Sequence, residues 1–148
     1  GESGVGKTRW CEALRAFAES QSLRAAGLIS YGVFAGREKV AIELCALPSG
    51  ERRRLAERRA YLAGDATPRW AFDQAALAWG DAHLAQLGDC DVLIVDEIGP
   101  LELLHGRGWQ SAFAALAAER YQMACAVVRP TLLEQFAARC KVGRVVRL

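Results

Sequence analysis

Gly1-Glu2-Ser3-Gly4-Val5-Gly6-Lys7-Thr8 satisfies G-x-x-x-x-G-K-[ST] at every fixed position. Glycines at that spacing let the backbone fold tightly, so that successive N–H groups point at one phosphate chain. A helix beginning near Lys7 adds the positive end of its dipole. In such a loop the lysine reaches the β- and γ-phosphates and the hydroxyl is offered to Mg2+. All eight residues are therefore candidate nucleotide contacts, Lys7 a candidate catalytic cation and Thr8 a candidate metal ligand. The helix follows where the pattern requires it. From Lys7 to about Ser20, the residues Trp10, Leu14 and Phe17 fall at i, i+4 and i+7 and predict one buried face. The strand that normally leads into such a loop does not precede Gly1, so the expectation is a sheet whose first strand is missing.

The second chemical signal lies far along the chain. Asp91-Val92-Leu93-Ile94-Val95-Asp96 is a short apolar run closed by acid, the mark of a buried parallel strand. In an open α/β sheet ligands gather at the carboxyl ends of strands, which is also where a phosphate loop sits. Asp96 is thus placed to hold Mg2+, and Glu97 to polarise an attacking water as general base. Alone, the pair would read as a solvent-facing acidic turn. Charge developing on a transferred phosphoryl group calls for a further cation. Arg129, directly after the strand ending Val127-Val128, is the candidate, with a solvent-facing strand end as its other reading. Arg37, in a predicted hairpin turn, is a weaker one.

Between these segments the chain alternates strands and helices. Leu28 to Phe34 and Val40 to Leu44 predict a β-hairpin around Gly36 and Arg37. Glu51 to Arg59 holds five Arg and reads as a solvated helical face or a phosphate-facing lid. Ala71 to Leu87 is apolar at helical spacing (Phe72, Ala76, Trp79, His83, Leu87), with Gly80 a weak point inside it. Helices are expected from Trp109 to Arg120 and Leu132 to Cys140, and strands from Ala124 to Val128 and Arg144 to Arg147. The fold class predicted is α/β: a mostly parallel sheet flanked by helices, plus a β-hairpin. His83 and His105 read as core or loop residues.

Composition fits that picture. With 148 residues, 52% hydrophobic and 24% charged, the chain is expected to form a single domain over residues 1–148. Its net charge of +2 predicts no nucleic-acid partner. No uncharged run approaches the roughly 18 residues that span a bilayer, and the start lacks a signal peptide's basic and apolar regions. Neither membrane nor secretion is expected. Five scattered cysteines (Cys11, Cys45, Cys90, Cys125, Cys140), without a C-x-x-C pair, fit reduced thiols in a cytoplasmic protein. Asp96-Glu97-Ile98-Gly99 also spells the D-x-x-G of regulatory GTPases. Their guanine-reading N-K-x-D needs Asn, which this sequence lacks entirely.

Asp96-Glu97-Ile98-Gly99-Pro100-Leu101-Glu102-Leu103, downstream of the glycine-rich loop and the hairpin, resembles the THEP-type nucleoside-triphosphatase family. These are small P-loop proteins of the RecA-like type. The resemblance implies Mg2+-dependent hydrolysis of several nucleoside triphosphates (ATP, GTP, CTP, UTP) to diphosphates, with little base preference. It puts Gly6, Lys7 and Thr8 on phosphate and metal, Asp96 on metal and Glu97 on the water. It leaves open the role of Glu102, the family's second acid. Two rivals remain: a nucleoside or nucleotide kinase, with the Arg52 to Arg59 cluster as its lid, and a nucleotide switch driven by a protein partner.

Overall fold

Helix α1 (Lys7–Ser20) leads into the long strands β1 (Ala25–Ala35) and β2 (Glu38–Leu47), which form the expected hairpin around Gly36 and Arg37. A turn at residues 48–50 sends the chain back along β3 (Arg52–Arg58), and β4 (Trp70–Phe72) pairs with that strand. Next come α2 (Gln74–Ala85), β5 (Val92–Ile98), the one-turn α3 (Pro100–Leu103), α4 (Ser111–Ala117) and β6 (Met123–Val128). A 3-10 turn, Pro130–Leu132, and the short α5 (Leu133–Ala137) follow. This computed structural model describes residues 6–59 and 70–147.

The six strands lie in the order β4-β3-β2-β1-β5-β6. The α/β class, the flanking helices and the hairpin are as expected, but the sheet is mixed rather than mostly parallel. Only β1-β5 and β5-β6 run parallel, whereas β1-β2, β2-β3 and β3-β4 are antiparallel. The cause is connection length. Parallel neighbours need a crossover of a dozen or more residues, whereas the turns after β1 and β2 permit only hairpins.

The arginine-rich segment is the main correction. It is neither helix nor lid but strand β3, in register with β2 (Leu44↔Arg53, Ile42↔Ala56). Leu55 and Ala56 are buried, while Arg52 and Arg53 lay their guanidinium groups over the rings of Tyr31 and Trp79, each at 4.5 Å. Sheet pairing and aromatic cover outweigh the local helical preference of arginine here.

Each face of the sheet carries its own core. In β5, Leu93 and Val95 share a core with Leu28 of β1, Leu44 of β2, Leu84 of α2, Phe113 of α4, Phe136 of α5 and Trp109. Val92 and Ile94 face the opposite layer with Ile29, Leu47, Val127 and, from α1, Cys11 and Ala18. Strand β1 threads between them. A Cβ at Gly27 would stand 1.9 Å from the Ile94 carbonyl oxygen, so the strand passes straight through a residue that reads locally as a break.

The helices differ in detail from expectation. Helix α1 buries Cys11 and Ala18, with Leu14 packed beside them, and leaves Trp10 and Phe17 exposed. Two neighbouring stripes of α1 share the apolar periodicity; the inward one, Lys7-Cys11-Leu14-Ala18, is continuous with the candidate site. Helix α2 runs unbroken through Gly80, because a Cβ there would stand 2.8 Å from Leu44 Cδ2 and from Trp109 Nε1. It starts at Gln74 rather than Ala71, since Asp73 caps it by accepting the Ala76 N–H at 2.9 Å and the preceding residues join the sheet. Helices α4 and α5 are shorter than predicted. Arg144 to Arg147 is not a strand among the described residues: Val145 and Val146 lie exposed, and β-branched residues make a strand only where a hydrogen-bonding neighbour is present. No described helix is long and apolar enough to cross a membrane.

Candidate active site

Strand β5 ends where its ladders end. Its pairing with β1 stops at Leu28↔Val95, and its pairing with β6 is interrupted between Val95 and Ile98. Asp96 and Glu97 occupy that gap, at the carboxyl edge of the parallel strands. The Asp96 side chain is buried, 2% exposed, and accepts the Thr8 hydroxyl at 2.8 Å and the Ser30 N–H at 3.4 Å. Burial pushes its carboxyl up from the usual 3.8 to about 6, against those two donors, which hold it down. Ser30 Oγ donates to the Asp96 carbonyl oxygen at 2.5 Å and ties β1 to β5 beyond the ladder. The motif reading does not single out Ser30; the parallel alignment of the two apolar runs is the signal that reaches it.

Helix α1 delivers the first motif to the same place. Gly6 precedes it in the left-handed region at φ 99°, a conformation that favours glycine, and accepts the Trp10 N–H at 2.9 Å. Lys7 and Thr8 are thereby turned inward, Lys7 with its side chain 11% exposed. Gly1, Glu2, Ser3, Gly4 and Val5 lie outside the described residues.

Glu97 sits between two cations. Arg129 Nε donates to Glu97 Oε1 at 2.7 Å, and Lys7 Nζ lies 4.0 Å from Oε2. Arg129 follows β6 and so arrives at the end of β5 through the parallel pairing. The structure thus brings Lys7, Thr8, Asp96, Glu97 and Arg129 together from α1, β5 and the end of β6. Arg37 sits in the exposed hairpin turn, and His83 hydrogen-bonds the Leu47 carbonyl at 3.1 Å, away from this cluster.

Glu102 has a supporting role that the motif alone leaves open. It is 4% exposed, and its two carboxylate oxygens accept the Gly99 N–H at 2.9 Å and the Trp109 N–H at 3.1 Å. Burial raises its pKa, opposed by those backbone donors. A Cβ on Gly108 would stand 1.9 Å from Glu102 Oε1, so the chain passes there only as glycine. Gln110 and Arg139 each donate to the Glu102 carbonyl at 3.1 Å. The segment leaving Glu97 is therefore clamped at both ends of one residue.

The donor set suits a hard divalent cation. Asp96 supplies a carboxylate and Thr8 a hydroxyl, both oxygen, and the buried carboxylate gains most from an added positive charge. No group of three or more His, Cys, Asp or Glu suited to a metal occurs among the described residues. One carboxylate and one hydroxyl, completed by water and substrate phosphates, is how Mg2+ is usually bound in phosphoryl-transfer sites.

A family model described as NTPase matches residues 1–146. The fold is similar to the solution structure of a human cancer-related nucleoside triphosphatase, at 21% identity and a TM-score of 0.65, covering 94% of this chain and 81% of that one. It is also similar to the crystal structure of THEP1 from the hyperthermophile Aquifex aeolicus, at 16% identity and a TM-score of 0.56, covering 91% and 80%. No curated protein sequence matches.

Proposed function

Since the chain belongs to the NTPase family, we propose that it hydrolyses nucleoside triphosphates to diphosphate and phosphate with Mg2+, and with broad preference among ATP, GTP, CTP and UTP. One observation carries the assignment of roles: Glu97 lies between Lys7 and Arg129, beside the Thr8–Asp96 hydrogen bond. In this reading residues 1–8 wrap the phosphate chain and Lys7 holds its outer phosphates. Thr8 and Asp96 would hold Mg2+, which, when bound, neutralises charge on the phosphate oxygens.

Glu97 accepts a proton from the attacking water as it forms a bond to the terminal phosphorus and the bridging oxygen leaves with the diphosphate. Arg129 also donates to that carboxylate. An arriving triphosphate offers Arg129 a stronger anion, so the guanidinium moves onto the phosphate and releases Glu97 to the water. Arg129 then stabilises the charge that builds on the transferred group.

The test is phosphate release from the four nucleotides with Mg2+, on the protein and on Lys7→Ala. Slow release from several nucleotides, lost in Lys7→Ala, supports the reading. Diphosphate that forms only when a phosphate acceptor is added overturns it in favour of a kinase.

A further inference from the structure

The hairpin carries a further cation that no motif announces. Lys39 is the second residue of β2, opposite Phe34 in the hairpin register. Its stem passes over Gly32, where a Cβ would come within 3.1 Å of Lys39 Cε. Its ammonium lies over the ring of Trp70 on β4, 5.4 Å from the centroid. Gly32 lies two residues along β1 from Ser30, on the same face, and Ser30 Oγ donates to the Asp96 carbonyl oxygen at 2.5 Å, so the hairpin lays the Lys39 stem beside the candidate site. Among the described residues no carboxylate lies within salt-bridge distance of it. Arg129 and Lys7, by contrast, both have Glu97.

A half-buried ammonium with an aromatic face and no carboxylate partner among the described residues is an incomplete arrangement. Burial, helped by Lys7 and Arg129 and opposed by Glu97 and Asp96, pushes its pKa down. What completes it is an anion entering the site, and the page supplies one in the phosphate chain. Under Proposed function the water held by Glu97 attacks the terminal phosphorus, so the anion offered beside Glu97 is the terminal phosphate.

We propose that Lys39, seated on Trp70, contacts the terminal phosphate of the bound nucleoside triphosphate and is a catalytic residue supplied by the hairpin. This rests on the reading given under Proposed function. Trp70 is a positioning residue: it touches no substrate and fixes where the ammonium stands.

The test compares Lys39→Met, Lys39→Arg and Trp70→Ala with the unaltered protein and with Lys7→Ala, measuring turnover and the binding of a non-hydrolysable triphosphate and a diphosphate. Lys39→Met should lower kcat by about 10-fold or more, up to the roughly 10²- to 10³-fold scale of one lost electrostatic donor. It should weaken triphosphate binding several-fold and leave diphosphate binding within about 2-fold, since only the triphosphate carries the contacted group. Lys39→Arg should recover part of both losses, and Trp70→Ala should lower kcat with a smaller change in KM. Unchanged thermal midpoints show that the variants are folded. Lys39→Met that turns over and binds like the unaltered protein, or that loses triphosphate and diphosphate equally, overturns the contact. If instead the unaltered protein hydrolyses nothing, the reading of function fails, while the triphosphate-to-diphosphate comparison still decides Lys39. A chain that binds neither nucleotide overturns both.

Discussion

At the scale of single residues, the site is a small set of charges whose neighbours set their behaviour. The general-base role assigned to Glu97 predicts that Glu97→Gln keeps nucleotide binding and lowers turnover by about 10²-fold or more. Unchanged turnover would remove Glu97 from the mechanism. Asp96 makes a prediction about pH. Its carboxyl sits near 6 in the folded, metal-free protein, above its usual 3.8. The folded state thus holds that proton more tightly than the unfolded chain, and the stability this provides is present below about pH 4 and lost as pH rises to about 6. At pH 7 the ionised group disfavours folding by up to about 3 kcal/mol. Asp96→Asn should therefore be more stable than the unaltered protein at pH 7 without metal, and the gap should close by pH 4. Urea unfolding at the two pH values decides this, and a gap that does not depend on pH refutes it. These residues were legible because they are consecutive: Gly6-Lys7-Thr8 and Asp96-Glu97 announce themselves by adjacency. Lys39 and Ser30 were not, because only strand register brings them to the site.

At the scale of elements, the misread segments share one cause. The arginines of β3, the Trp70–Phe72 strand and the outer face of α1 each depend on what packs against them, which local periodicity does not contain. Segments framed on both sides by their own residues, such as the β1–β2 hairpin and the apolar β5, were legible from pattern alone. Gly80 shows how neighbours override propensity. In an isolated helix Gly80→Ala would gain about 1 kcal/mol. Here the added methyl meets Leu44 and Trp109 at 2.8 Å, and overpacking of that kind destabilises by about 1–3 kcal/mol. The expected outcome is a net loss near 1 kcal/mol, read as a lower midpoint in denaturant. A higher midpoint would mean that the Leu44 and Trp109 side chains yield.

At the scale of the whole molecule, the mixed sheet divides the work. Its parallel half, β1-β5-β6, gathers the carboxyl ends of strands into one edge, while its antiparallel half extends the hairpin and brings a lysine and an indole to that edge. A ligand held by α1, β5 and the end of β6 bridges both cores, so binding should register as global stability. At a nucleotide concentration about 100 times its dissociation constant the gain is about 2.7 kcal/mol. For a chain of this size that raises the thermal midpoint by several degrees, roughly 2–4 °C per kcal/mol. Lys7→Ala should abolish the rise. A rise that survives it would show that the nucleotide is held somewhere other than the α1 loop.

The ammonium over Trp70 also has an optical consequence. An indole's emission responds to the charge lying on its face, so Trp70 gauges the position of Lys39. Binding of a triphosphate that pairs with the ammonium on the ring should change tryptophan fluorescence, and a diphosphate should leave most of that signal untouched. Trp70→Phe should erase the difference while Trp10, Trp79 and Trp109 continue to emit. Stopped-flow fluorescence would then time the arrival and departure of the terminal phosphate with no added label.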